Sequence, residues 1–113
     1  MTLTQLDAFA LTLAIEALVV LALGRALKLS PLRCTVAAAG ASSLTHPILW
    51  AVFADATAIL GAWTAPVLEA AVMAAETPFY RAIASARWRD AALLSLVANA
   101  ASWGAGELIY ALI

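Results

Sequence analysis

Glu16, Glu69, Glu76 and Glu107 are all the glutamates of the chain, and each falls inside a stretch apolar enough to be membrane. A charged side chain at the centre of a membrane helix costs about 2.5–3.5 kcal/mol on insertion scales. Four such acids in 113 residues mark where chemistry is to be sought. His46, the single histidine, and Asn99 join them. Residues of these types do three kinds of work in a membrane. Carboxylates and imidazole are ligands for a divalent metal such as Zn, Mn or Fe. Spaced in a line with an amide, they relay protons. Neutral glutamates also hydrogen-bond across helices and hold them together.

The medium around these groups follows from composition. Hydrophobic residues make up 65% of the chain and charged residues 12%. A soluble domain is about half apolar and a quarter charged. With a mean hydropathy of +0.98, the chain lacks the polar surface that water demands. Its net charge of −1 offers nucleic acid no basic face. The single Cys34 cannot close an internal disulfide and reads as a small packing residue. Residues 1–7 hold no Lys or Arg, and Glu16 interrupts the apolar run behind them, so the first stretch reads as a retained span instead of a signal peptide.

A membrane span takes about 20 mostly apolar residues. Four are expected, at about 8–27, 34–54, 63–84 and 91–113. The connections 28–33, 55–62 and 85–90 are short, which makes neighbouring helices antiparallel. The expected fold is all-α: a single domain forming an up-down transmembrane four-helix bundle. All six cations flank the first and third connections: Arg25, Lys28 and Arg33, then Arg81, Arg87 and Arg89. The positive-inside rule puts both connections in the cytoplasm and both termini outside. The basic cluster beside Trp88 suits anionic lipid headgroups. Phe9, Trp50, Phe53, Trp63 and Tyr110 fall near the outer interface, and Phe79, Tyr80 and Trp88 near the inner one, as anchoring aromatics do. The run Ala37 to Ser43, and Gly104 with Gly106, predict close helix approach.

These spans set the depth of each polar group. At about 1.5 Å per residue, Glu16 and His46 lie roughly 12 Å below the outer helix ends, and Glu69 and Glu107 about 9 Å. One ionisable group per helix at one level is the spacing expected of a metal or cation site made of Glu16, His46, Glu69 and Glu107. Glu76, one heptad from Glu69, and Asn99 form a deeper layer. Asn99, Ser102 and Gly106 share a face, from which Glu107 is displaced by about 80°. On the second span Thr35, Ala39, Ser42, Ser43, His46 and Trp50 share another. Pro47 and Pro78 release the carbonyls of Ser43 and Ala74, and such breaks are tolerated where other groups satisfy them. Glu76, Asn99 and Ser102 would carry a proton path inward or serve as interhelical contacts.

Thr45-His46-Pro47 with Trp50, Glu69 to Glu76 running on to Tyr80-Arg81, and Ser95-Leu96 with Asn99 and Ser102 resemble a pattern in small four-span bacterial inner-membrane proteins of unassigned function. The resemblance implies the bacterial cytoplasmic membrane and no activity. The residues themselves point to an intramembrane Glu/His cluster that binds or conducts a metal ion or a proton. The alternative is an accessory or assembly subunit, working as a homo-oligomer or within a larger membrane complex, whose polar residues are glue. An intramembrane metal-dependent hydrolase is a further alternative, but no GxSxG motif, Cys–His pair or phosphate loop supports catalysis.

Overall fold

A computed structural model of the protein describes residues 4–113. It is all-helical, with no strand among the described residues. Helix α1 is Gln5–Ala26, α2 is Pro31–Leu60, α3 is Thr64–Ile83 and α4 is Trp88–Leu112. The start of α1 is fixed by a capping box, in which Thr4 and Asp7 exchange side-chain and backbone hydrogen bonds. Ser30 caps α2 through the Arg33 N–H, with Pro31 in the first turn where its missing donor costs nothing. At the end of α1 the Leu29 N–H bonds the Gly24 carbonyl and the Lys28 N–H bonds the Arg25 carbonyl. This is a Schellman motif, and Lys28 takes the left-handed conformation there (φ 60°).

The second connection is not the expected loop. Nothing in residues 55–60 stops a helix, so α2 runs on to Leu60. It passes through one 3₁₀ turn, Gly61–Trp63, directly into α3. Gly61 makes the reversal with φ 56°, a conformation that glycine adopts without a Cβ penalty. Counted as continuous helical stretches there are therefore three, not four: Gln5–Ala26, Pro31–Ile83 and Trp88–Leu112. Each is long and apolar enough to cross a membrane.

Helix α1 packs on α2 and α4, and α3 packs on the same two, so each helix has two neighbours. The tight core lies toward the two basic turns. There Val20, Cys34, Ala37, Ala38, Tyr80, Ala84, Ala91, Leu94 and Ala98 are buried together. Small side chains let these helices approach closely. Ala37, Ala38, Ala41 and Ser42 do so as their sequence predicts, whereas Ala39 and Ser43 face outward. Gly104 and Gly106 do not mediate such an approach, since a Cβ at either would meet nothing within 4 Å. Gly24 does: a Cβ there would sit 2.8 Å from Cys34 Sγ. Tyr80 is wholly buried in this core and is not an interfacial anchor.

Candidate functional site

Two carboxyls are sealed inside the helices. Glu16 on α1 is 0% exposed and Glu76 on α3 is 1% exposed. Each is held by one donor from α2 and one from α4. Ser42 donates to Glu16 Oε1, and Ser102 Oγ lies 3.3 Å from Glu16 Oε2. Thr45 donates to Glu76 Oε2 at 2.5 Å, and Asn99 Nδ2 to Glu76 Oε1 at 2.8 Å. The arrangement follows from helical period. Ser42 and Thr45 are three apart, as are Asn99 and Ser102, so each pair lies on one face and offers one donor per carboxyl.

The two carboxyls are joined through α4. Ser102 Oγ is also 3.1 Å from the Asn99 carbonyl, so its one proton serves either that oxygen or Glu16. The second amide hydrogen of Asn99 goes to the Ser95 carbonyl at 2.8 Å. Ser95 Oγ in turn donates across to the Met73 carbonyl of α3 at 2.7 Å. That carbonyl also accepts from Thr77, the residue before Pro78.

Above this network, toward the chain termini, the helices part around a cavity of about 390 Å³. Glu76 and Asn99 lie in its wall, as do Ser42 and Ser102. Glu69 and Glu107 also line it. Glu69 is half-buried and accepts no hydrogen bond from the described residues. Glu107 is exposed and takes a 3.3 Å bond from Trp103 Nε1 on its own helix. His46, 9% exposed, lines the same wall. Its ring lies 5.3 Å from Phe9 and 6.1 Å from Trp50, and its buried Nε2 has no partner among the described residues.

The predicted residues therefore divide differently from their expected depths. With α1 beginning at Gln5 and α2 ending at Leu60, Glu16 lies about 16 Å from its helix end and His46 about 21 Å. Glu69 and Glu107 lie only about 8 Å from theirs. Glu16 thus belongs with Glu76 and Asn99. The set Glu16, His46, Glu69 and Glu107 does not converge as metal ligands. Among the described residues no three His, Cys, Asp or Glu side chains could hold one ion, so a resident Zn, Mn or Fe has no ligand set there. Thr45, Trp103 and Phe53 were not expected at the site. Thr45 stands three residues after Ser42 and four before Leu49, on the same seam, and that spacing was the available signal.

The fold and site define a small all-helical chain, built of helices apolar enough for lipid, with two buried carboxyls beneath an acid-lined cavity. No family model matches it, and no curated protein or solved structure is significantly similar to it.

Proposed function

We propose that the chain is a polytopic protein of the bacterial cytoplasmic membrane, an up-down bundle of four spans with both termini outside, that conducts protons through its buried glutamates. The observation that carries this reading is the polar series Glu76–Asn99–Ser102–Glu16 between otherwise apolar helices, in which the Ser102 proton can turn between the Asn99 carbonyl and Glu16. Its upper end lines the cavity, where Glu69 stands seven residues before Glu76 on α3. A carboxyl both takes and gives protons, and hydroxyls and amides beside it fix the geometry of each transfer. Cations at the first and third connections and none elsewhere support the orientation.

The test is purified protein in vesicles enclosing a pH-sensitive dye, driven by a potassium diffusion potential. The parent and Glu107→Gln acidify the lumen, because Glu107 lies outside the line. Glu76→Gln loses the flux. Equal flux from Glu76→Gln and the parent would overturn the reading.

A second reading rests on the same bonds. Each of the two carboxyls has a donor on two other helices, which is how interhelical glue is built. The chain would then be an accessory subunit of a larger complex. No flux from the parent, together with recovery in stoichiometric association with a larger membrane protein, favours that outcome.

A further inference from the structure

The cavity holds more than a proton path needs. About 390 Å³ is within the range of small-molecule sites and far larger than a chain of waters requires. Trp50, Phe53, Trp103 and Tyr110 supply aromatic faces from α2 and α4. Glu69 brings a carboxyl that no described residue satisfies. A carboxyl without a partner in the fold is a place for a ligand's donor.

The sign of the ligand follows from charge. Among the described residues no Lys or Arg lines the cavity, and all six Lys and Arg stand at the opposite end of the helices. Aromatic faces carry negative quadrupole potential and attract a cation within about 6 Å of the ring. An anion would meet three glutamates with nothing to balance it. An alkyl chain would leave Glu69 unpaired. A bare metal ion would find no three-ligand set.

We propose that this cavity binds a protonated primary amine with an apolar, aromatic-sized body, its ammonium at Glu69 and its body among Trp50, Phe53, Trp103 and Tyr110. The inference rests on the cation-handling reading of the same site and names the class of its occupant. The ammonium has three N–H donors, enough for both oxygens of the Glu69 carboxylate. Glu76, at the cavity floor, already has both oxygens bonded and is left to the proton path.

Tryptophan indole resonances report binding in the intact protein. Of four tryptophans, Trp50 and Trp103 line the cavity, whereas Trp63 and Trp88 are exposed elsewhere. In detergent micelles, 2-phenylethylamine at neutral pH is expected to shift the Trp50 and Trp103 signals saturably and leave Trp63 and Trp88 in place. The anion 3-phenylpropanoate shifts none. Glu69→Gln, at a half-buried site with no hydrogen bond to break, keeps the parent spectrum and binds the amine about tenfold more weakly. Equal shifts of all four indoles, which report partitioning into the micelle, would overturn the proposal. So would equal binding of the anion, or unchanged affinity in Glu69→Gln. Proton flux is measured separately, so flux without amine binding removes this proposal and leaves the proton path standing.

Discussion

Tyr80 is a side chain whose polar atom has no partner among the described residues. It lies one turn inward from Glu76 on α3, its ring fully buried. A hydroxyl that makes no bond in the folded state contributes only its desolvation cost, so Tyr80→Phe should leave stability unchanged or raise it by up to about 1 kcal/mol. If protons pass inward from Glu76, this hydroxyl is the next group on the stripe, and the same substitution slows the flux. Chemical unfolding and the vesicle assay on one variant separate the two effects. Lowered stability would mean that Tyr80 has a partner in the membrane. Stability and flux both unchanged would place the path elsewhere. Glu16 and Glu76 were conspicuous in the chain, as acids in long apolar runs. Their partners were less so, since Thr45 and Ser42 look like many other small polar residues in membrane helices.

At the scale of helices, the crossing of α1 and α2 depends on one missing atom. Gly24 faces Cys34, which is completely buried, and a Cβ at 24 would lie 2.8 Å from the thiol and 3.4 Å from the Cys34 Cβ. Alanine gains about 1 kcal/mol over glycine within a helix. Overpacking a tight contact costs about 1–3 kcal/mol. With the thiol unable to retreat, the clash outweighs the propensity, and Gly24→Ala should lower the unfolding midpoint in denaturant. Adding Cys34→Ala removes the sulfur and should recover most of that loss, a coupling that a double-mutant cycle reads directly. Additive losses would show that the helices have room to separate. Sequence placed the small-residue contact of α2 correctly at Ala37, Ala38, Ala41 and Ser42, but assigned Gly104 and Gly106 a role that Gly24 holds. Glycine marks potential for close approach, and only the partner surface decides whether it is used.

The whole molecule is polarised along its helices. The packed core and all six cations occupy one end, and the cavity occupies the other. In a membrane this fixes which way the cavity opens. In a Cys34→Ala background, a membrane-impermeant maleimide added to intact spheroplasts should label Ala62→Cys in the 3₁₀ turn. Ser85→Cys in the basic turn between α3 and α4 should be labelled only after lysis. The reverse pattern would place the cavity on the cytoplasmic side and overturn the assigned orientation.

The chain by itself determined its helical class, an apolar composition that suits a membrane, the sites of its charge and the acids that stand within its apolar runs. These are properties of composition and period, carried by each segment alone. Tertiary structure decided which acids share a layer, because depth depends on where helices end. Residues 55–60 continue α2 without a break that local sequence would reveal. It also decided that Glu69 stands beside aromatic rings with no hydrogen bond from the described residues. That juxtaposition draws on separate helices and exists only once they pack.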